Sequence, residues 1–600
     1  MRYLFIFIQF ISFAGMANGQ PIYFRHYEVE DGLANNTVFS VYQDSKGFMW
    51  FGTKEGLNRF DGGTFKAFNM KQDNQPVKEF VYSIAEGMYQ SLWVGTRKGL
   101  YAFDPRTEKF SLLGPTRGCE IIEIRTNSKG KIWFTSNLRL FGYDERKQVT
   151  RHYDIKMGYT PMITAIAIGQ DESVWAASYE GYIFRYDAVK DSFVCINVSA
   201  AHNGRRPVAV TRLYCTPSGQ LLIGTLKQLT CYDPANGSYH SLLGKPVQQK
   251  PVYVRDILHF SGSEYWIASE SGIHLVNIQT GRSVNIRQQD GDPYSISDNA
   301  VYALFGDNEG GIWCGTYFGG VNYYHSRHSL FRKYFRNGSN NSLSGNAVRE
   351  LYADAQNNLW IGTEDAGLNK LNMRTGEITR YTAPGTTSST NIHALLIDGN
   401  ELWVGTFEQG LDVLDVHTGK RLRHYNANRK ANGLISNFII CARKTRRGDM
   451  MFGTSYGIYY YQRGTGRFKL APGFPEDLYV FCLYEDRDGI IWAGTIGKGL
   501  FYFNPNTGEK GHFVYDARHA NSLGSNSVCG IFQDSDGNMW ISTEGGGLCK
   551  LNDDRRHFTR FDTDSGLPSN MVYKVLEDKY KRLWITTSQG LVRYDRTKNN

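Results

Sequence analysis

The sequence lacks several features that would point to particular classes of protein. After residue 22 it has no apolar run near the roughly 20 residues that a membrane-spanning helix needs. It also has no G-x-S-x-G, H-E-x-x-H or P-loop motif, and its 14 His show no metal-ligand spacing. We therefore predict no membrane span after residue 22, no metal, no cofactor and no catalytic residues in this chain.

The cysteine pattern and the net charge argue against further classes of protein. The nine Cys are odd in number and form no C-x-x-C pair, and Cys314 occupies an apolar strand position beside Trp313. This pattern favours buried free thiols over disulfides or zinc ligands. The net charge of +9 is modest, and a basic cluster such as Lys444 to Arg447 is typical of a solvated loop. We expect no direct contact with nucleic acid.

The N-terminus resembles a targeting segment. Arg2 precedes an apolar stretch from Leu4 to Ala14, and small residues from Ala17 to Gly19 follow it. This order predicts a secretory signal peptide over residues 1–19 and a periplasmic location.

One position of a repeated unit holds every Trp in the chain. The unit reads apolar, Trp, apolar, Gly, Thr, and after a short gap Gly-Leu, and its copies lie 40 to 48 residues apart. Leu222 and Met451 fill the same position in two further copies, which gives 13 units. A period near 44 residues with many turn residues predicts β-propeller blades. The eleven Trp are at 50, 93, 133, 175, 266, 313, 360, 403, 492, 540 and 584.

The first unit shows the pattern of one blade. Four short strands are predicted at residues 36–42, 48–53, 56–60 and 65–68, with a turn at Asp44 to Gly47. Trp50 and its equivalents are predicted to fill the wedge between blades. An Asn recurs 14 residues before the repeat position in six units, at 36, 299, 346, 437, 526 and 570, and we interpret it as a structural cap of the loop that enters the blade.

Propellers rarely exceed eight blades, so 13 units predict an all-β chain of two tandem β-propellers built from four-stranded antiparallel blades. Residues 20–327 would hold seven blades, closed by a strand at Tyr23 to Tyr27 that joins the blade containing Val301 to Tyr324. Residues 328–600 would hold six, with Leu330 to Phe335 as the corresponding closing strand. The second ring is then either six-bladed or lacks a seventh blade.

These motifs together resemble a known family. D-G-L-x-x-N (Asp31 to Asn36), D-x-x-G-x-x-W-x-G-T (Asp44 to Thr53) and G-L-N-R-F (Gly56 to Phe60) are similar to the two-component regulator propeller repeat. The resemblance implies the extracellular sensor region of hybrid two-component systems in Bacteroides-like bacteria, with two seven-bladed propellers and oligosaccharides as signals. Full-length members carry a histidine kinase and a regulator, which this sequence does not show. The chain would be a truncated hybrid sensor or a free-standing propeller.

Candidate ligand-binding residues lie in the loops between the second and third strands, which vary while the strands do not. Aromatic rings offer flat apolar surface to sugars, and polar neighbours offer hydrogen bonds. The aromatic candidates are Tyr179, Tyr317, Phe318, Phe407 and Tyr456. The polar candidates are Arg97, Lys98, Glu364 and Asp365, with Glu180, Glu408, Gln409 and Lys498 as further companions.

The leading hypothesis is a non-catalytic periplasmic sensor that binds an oligosaccharide released from a complex glycan. A homodimer and a membrane-bound kinase are the expected protein partners. Two alternatives stay open. One is a propeller-fold polysaccharide lyase or glycosidase, since sequence alone cannot show whether two carboxylates face each other across a cleft. The other is a platform for protein interactions.

Overall fold

The computed structural model describes residues 22–72, 75–196, 208–243, 251–326, 331–382, 385–428 and 432–595. The predicted signal peptide lies outside these residues. The described chain is built from β-strands and short 3-10 helices, and the predicted all-β class with tandem β-propellers is confirmed. Among the described residues, none of the helices has the length and apolar character that crossing a membrane requires.

Two compact units make up the chain, Met1–Lys333 (unit 1) and Tyr334–Asn600 (unit 2). The predicted boundary between residues 327 and 328 lies six residues earlier. Short 3-10 helices occur at Val29–Asp31, Gly114–Thr116 and Thr563–Ser565.

The described strands of unit 1 are β1 (Phe24–Tyr27), β2 (Val38–Gln43), β3 (Met49–Thr53), β4 (Gly56–Phe60), β5 (Phe65–Phe68), β6 (Met70–Gln72), β7 (Gln75–Val77), β8 (Val81–Glu86), β9 (Leu92–Thr96), β10 (Gly99–Asp104), β11 (Lys109–Leu112), β12 (Ile124–Thr126), β13 (Lys131–Ser136), β14 (Arg139–Asp144), β15 (Val149–His152), β16 (Ile163–Ile168), β17 (Val174–Ser178), β18 (Ile183–Asp187), β19 (Ser192–Ile196), β20 (Val210–Cys215), β21 (Leu221–Thr225), β22 (Leu229–Asp233), β23 (Ser238–Leu243), β24 (Val254–Ser261), β25 (Glu264–Ser269), β26 (Gly272–Asn277), β27 (Ser283–Ile286), β28 (Val301–Gly306), β29 (Gly311–Thr316) and β30 (Val321–His325).

Those of unit 2 are β31 (Val348–Ala353), β32 (Asn358–Thr363), β33 (Gly367–Asn372), β34 (Ile378–Tyr381), β35 (Ile392–Asp398), β36 (Glu401–Thr406), β37 (Leu411–Asp415), β38 (Arg421–Tyr425), β39 (Ile439–Lys444), β40 (Met450–Thr454), β41 (Gly457–Gln462), β42 (Arg467–Leu470), β43 (Val480–Glu485), β44 (Ile491–Thr495), β45 (Leu500–Phe503), β46 (Lys510–Phe513), β47 (Val528–Gln533), β48 (Met539–Thr543), β49 (Leu548–Leu551), β50 (Phe558–Phe561), β51 (Val572–Glu577), β52 (Leu583–Thr587) and β53 (Gly590–Tyr594).

In unit 1, β6 and β7 form a two-stranded sheet, and the other described strands form seven four-stranded sheets, six of which are meanders of consecutive strands. The seventh has the order β1-β30-β29-β28, so the N-terminal strand completes the last blade. Phe24 lies opposite Tyr324 and Tyr27 opposite Val321 in antiparallel register. The predicted pairing of these two segments is confirmed.

In unit 2 the described strands form five four-stranded sheets and one three-stranded sheet, β51-β52-β53. The predicted closing strand at Leu330 to Phe335 is wrong for the residues that the structure describes, because 331–335 contain no strand. Leu330 lies outside the described residues. Lys333 is held by the ring of Tyr294, 3.5 Å from its Nζ, and Tyr334 packs beside Leu343 and Ile361. The described part of this segment therefore packs through its side chains and pairs with no described strand.

The recurring Asp and Trp of each unit have a shared physical role. The Oδ1 atom of Asp44 accepts the backbone N–H groups of Lys46 and Phe48, and its Oδ2 atom accepts the Trp50 indole N–H at 2.8 Å. Trp313, Trp360, Trp492, Trp540 and Trp584 bond in the same way to the Asp six residues before them. Ten of the eleven Trp are buried and Trp584 is half-buried. The predicted role of the indoles in the blade core is confirmed.

Packing between blades explains the Gly of the repeat. A Cβ on Gly52 would lie 2.6 Å from the carbonyl oxygen of Val81, which opens the inner strand of the next blade. The predicted caps are also confirmed: the side-chain oxygen of Asn36 accepts the Val29 N–H at 2.9 Å. Asn299, Asn346, Asn437, Asn526 and Asn570 make equivalent bonds.

All nine cysteines are free, as predicted. Four of them (Cys231, Cys314, Cys529 and Cys549) are buried, whereas Cys195 is exposed. Burial raises the pKa of the Cys231 thiol to about 11, so this group is a neutral apolar filler rather than a thiolate.

Candidate functional site

The inner strands of unit 1 surround a central cavity of about 790 Å³, lined by residues of β2, β8, β12, β16, β20, β24 and β28. Each of these strands places an apolar residue against the neighbouring blade, and adjacent residues face the cavity because side chains alternate along a strand. Phe39 follows the buried Val38, Tyr82 follows Val81 and Tyr302 follows Val301.

Aromatic rings cluster at the end of this cavity where the inner strands begin. Phe39 packs against Phe80, Tyr82 and Tyr302, with ring centroids 5.9, 5.3 and 5.9 Å away. Tyr302 stacks in turn on Tyr317 at 5.2 Å. We call these five residues the aromatic mouth. They come from three blades and present flat apolar surface beside phenol hydroxyls, which is the surface that suits a sugar ring.

Charged groups surround the aromatic mouth. The Nζ atom of Lys54 and the guanidinium of Arg97 lie 5.8 and 5.9 Å from the centroid of Phe80. Arg255 lies 4.2 Å from the Tyr302 centroid and donates a hydrogen bond of 3.0 Å to the Tyr302 hydroxyl. It also donates from Nε to Glu270 at 2.7 Å.

Two phenols of the aromatic mouth stay neutral over the physiological range. Burial raises the pKa of Tyr82 to about 12, with a further contribution from its hydrogen bond to Glu120. Burial likewise raises the pKa of Tyr302 to about 12, while Arg255 acts in the opposite direction. Both hydroxyls keep their protons. Tyr82 donates its O–H to Glu120, whereas Tyr302 accepts from Arg255 and so keeps its O–H as a donor for a ligand.

An ion-pair network lies among the inner strands. Arg212 donates from Nη1 to Glu123 at 2.7 Å and forms an ion pair from Nη2 to Asp256, also at 2.7 Å. Arg125 pairs with the same Glu123 at 2.6 Å. The second oxygen of Asp256 accepts the backbone N–H of Leu304 at 2.9 Å. Burial lowers the pKa of Arg212, but the two carboxylates outweigh it and raise the pKa overall. These charges satisfy one another and join four inner strands.

Unit 2 has a second cluster of similar position, which we call the histidine cluster: Arg349, Glu364, His393, Phe407 and Phe438. The His393 ring lies 5.8 Å from that of Phe407 and 5.0 Å from that of Phe438. One Glu364 oxygen lies 3.7 Å from His393 Nε2 and 3.6 Å from Arg349 Nε. Burial lowers the pKa of His393, and Arg349 adds to this effect, so the ring is neutral near pH 7.

The structure brings several predicted site residues together. Tyr317 belongs to the aromatic mouth, Phe318 packs on it at 4.6 Å, and Arg97 lies beside Phe80. Tyr179 lines the same cavity and is half exposed. Lys98, in contrast, forms an ion pair with the buried Glu79 at 3.3 Å.

The remaining candidates lie in unit 2. Phe407 and Glu364 belong to the histidine cluster. Asp365 accepts the backbone N–H of Asn346 at 3.0 Å and so holds the loop that enters its blade. Tyr456 is exposed on a hairpin turn, where its backbone N–H donates to the Thr454 hydroxyl at 3.0 Å.

Sequence reasoning missed Phe39, Phe80, Tyr82, Tyr302 and His393. The signal that could have found them is their position directly beside the buried Val or Ile that opens each inner strand. In the described residues, no group of three or more His, Cys, Asp or Glu has the arrangement of a metal site.

The repeats match a known family model. It is described as the two component regulator propeller and matches residues 32–55, 295–318, 342–365, 473–497, 522–545 and 566–589. The chain carries two-component regulator propeller repeats. The matched segments coincide with the loop that enters a blade, its inner strand and its second strand. All six therefore include the Asp–Trp turn, and five include the capping Asn, whose place is taken by Leu478 in the segment 473–497.

Two comparisons show how far the likeness to known proteins extends. A solved structure from B. thetaiotaomicron, described as the extracellular domain of a hybrid two component system, shares the fold with a TM-score of 0.62 at 21% identity. The alignment covers 96% of this chain and 83% of that chain. Histidine kinase P4 of Formosa agariphila is 34% identical over 73 residues, which is 12% of this chain and 5% of the kinase.

Proposed function

We propose that the chain is an extracellular ligand-sensing module of a two-component system, that it binds an oligosaccharide at the aromatic mouth of unit 1, and that it has no catalytic step of its own. The observation that carries this proposal is the cluster of five aromatic rings at one end of the 790 Å³ cavity. Apolar pockets with a few convergent polar groups are the usual form of a small-ligand site.

The geometry supports binding from the end of the cavity at which the aromatic mouth lies. Phe39, Phe80, Tyr82, Tyr302 and Tyr317 are all half-buried, so each ring keeps part of its surface open to a ligand. The Arg212 network is internally satisfied and offers few free hydrogen-bonding groups. The two component regulator propeller match and the similar fold of an extracellular domain support a role in signal input.

The proposal includes location and partners. The signal-like N-terminal sequence supports a periplasmic location. A homodimer or a membrane-bound kinase is the proposed recipient of the signal. Light scattering of the purified chain with and without ligand tests the first of these, because ligand-driven dimerisation would double the measured mass.

Calorimetric titration against a panel of plant and host oligosaccharides tests the proposal. We expect at least one ligand to bind, and Phe80→Ala to weaken that binding about tenfold or more, since a buried aromatic anchor contributes more than about 1.4 kcal/mol. Tyr580→Ala is the matched control, because Tyr580 is an exposed aromatic residue of unit 2. An assay for reducing ends runs in parallel. If no oligosaccharide of the panel binds, the sensor proposal is contradicted. Release of new reducing ends would favour a lyase or glycosidase.

A further inference from the structure

Seven equivalent positions surround the beginning of the central cavity in unit 1. Each is the residue directly after the Thr or Ser that ends the second strand of a blade, at 54, 97, 137, 179, 226, 270 and 317. Three of these residues are charged: Lys54, Arg97 and Glu270. The single acid of the set, Glu270, is already paired with Arg255.

The two cations are on successive blades and both are exposed. Within the part of the chain that the structure describes, neither Lys54 nor Arg97 has an ion-pair partner, whereas the nearby Lys98 and Lys78 are paired with Glu79 and Glu55. Both cations lie within 6 Å of the same ring, with distances of 5.8 and 5.9 Å to the Phe80 centroid. The side of the aromatic mouth formed by the first two blades therefore carries two unpaired positive charges.

We propose that the aromatic mouth selects an acidic oligosaccharide, whose carboxylate or sulfate group binds between Lys54 and Arg97 while its sugar ring packs on the aromatic surface. This inference rests on the proposed function. Hydrogen bonds between ionised groups are shorter and stronger than neutral ones, and a guanidinium can hold a carboxylate through two N–H groups. A nearby aromatic surface also lowers the local dielectric, which strengthens the attraction.

The other charged groups around the aromatic mouth already have partners, which leaves Lys54 and Arg97 to bind the acidic group. Glu120 is bound to the Tyr82 hydroxyl, and Arg255 is neutralised by Glu270. The neutral Tyr302, whose hydroxyl oxygen accepts from Arg255, keeps its O–H available as a donor to a sugar hydroxyl. A neutral oligosaccharide would use the rings and phenols but would leave Lys54 and Arg97 without a partner.

The test is calorimetric titration of the full chain with matched pairs of ligands. Uronate-containing fragments of pectin, alginate and glycosaminoglycans are each compared with their carboxyl-reduced forms, and sulfated disaccharides form a third arm. We expect an acidic fragment to bind at least tenfold more tightly than its reduced form. The double variant Lys54→Met with Arg97→Met should abolish that preference and leave any weak binding of the neutral form unchanged.

Lys579→Met is the control variant, because it removes an exposed cation that lies 5.0 Å from the Tyr580 ring in unit 2. Raising the salt concentration should weaken binding of the acidic ligand to the unmodified chain, since exposed charges are screened beyond about 8 Å at physiological ionic strength. Preference for sulfated ligands that depends on the two cations would identify sulfate as the group bound. Equal binding of the acidic and reduced forms would overturn this inference but would not contradict the proposed function. If no ligand binds in any arm and no neutral oligosaccharide of the panel binds, both the inference and the proposed function are overturned.

Discussion

The first blades of the two units have the same pattern and register but opposite exposure. In unit 1, Val38 lies opposite Thr53 and Val41 opposite Phe51, and in unit 2, Val348 lies opposite Thr363 and Leu351 opposite Ile361. Val38 and Val41 are 0% and 8% exposed, whereas Val348 and Leu351 are 44% and 51% exposed. Burial of this face is therefore not a property of the repeat itself.

The neighbouring blade accounts for the difference. Val38 and Val41 form one cluster with Ala303, Trp313 and Val321 of the last blade of unit 1. In unit 2, Leu591 of β53 occupies the position of Val321 and is 48% exposed, compared with 0% for Val321. A blade cannot bury both of its faces alone, so the core of each wedge exists only where two blades meet.

Substitution of equivalent residues by Lys gives the largest expected contrast. Val41→Lys places an unpaired charge in the wedge between the first and last blades and should lower the free energy of unfolding of unit 1 by more than about 3 kcal/mol. Leu351→Lys should change that of unit 2 by less than about 0.5 kcal/mol, because the side chain is half exposed. Urea unfolding, monitored by hydrogen exchange of peptides from each unit, measures the change in unfolding free energy of each unit. Equal losses would show that Leu351 is covered in solution.

Closure by β1 predicts an effect of comparable size. Phe24 is 2% exposed and packs against Trp266 and Tyr324, with centroid distances of 6.4 and 6.2 Å. Phe24→Ala should cost about 3 to 4 kcal/mol, the usual loss for a buried Phe. Hydrogen exchange should accelerate in β28 to β30 and remain unchanged in unit 2. Tyr580→Ala in unit 2 is the control, since its ring is exposed. Unchanged exchange in β28 to β30 would mean that the last blade is stable without β1.

The repeated parts of the fold were predictable from the sequence because they depend on local chemistry. The Asp44 to Gly47 turn, the Trp50 indole and the Asn36 cap all act within a few residues of chain, and each leaves a fixed spacing in the sequence. The closing role of Tyr23 to Tyr27 was also predictable, because a strand with no blade of its own precedes the first unit.

Most residues of the aromatic mouth could not be predicted from the sequence. Phe39, Phe80 and Tyr302 come from three blades and are up to 263 residues apart, so their contact depends on closure of the ring rather than on local pattern. Loop positions such as Tyr317 were identified by their variability, whereas the inner-strand residues look like ordinary strand aromatics. The closing strand predicted at Leu330 to Phe335 was wrong for a related reason, because a short segment rich in aromatic and apolar residues does not show whether a sheet edge is within reach.

The smallest expected contrast concerns the Trp of the two last blades. The Trp313 indole donates to Asp307 at 2.8 Å and stacks on Tyr27 of β1 at 5.8 Å, and its side chain is buried. Trp584 donates to Asp578 at 3.0 Å but is only half-buried. Trp313→Phe removes an indole N–H and leaves space beside Tyr27, so it should cost about 2 kcal/mol. Trp584→Phe removes the same hydrogen bond where water can replace it, and should cost about 1 kcal/mol or less. Thermal unfolding, monitored by hydrogen exchange in β29 and β52, measures the two losses of stability separately. Equal losses of stability would show that these indoles stabilise their blades through the hydrogen bond to Asp alone. A larger loss for Trp313→Phe would show that contact with β1, the strand that closes the ring, contributes the difference.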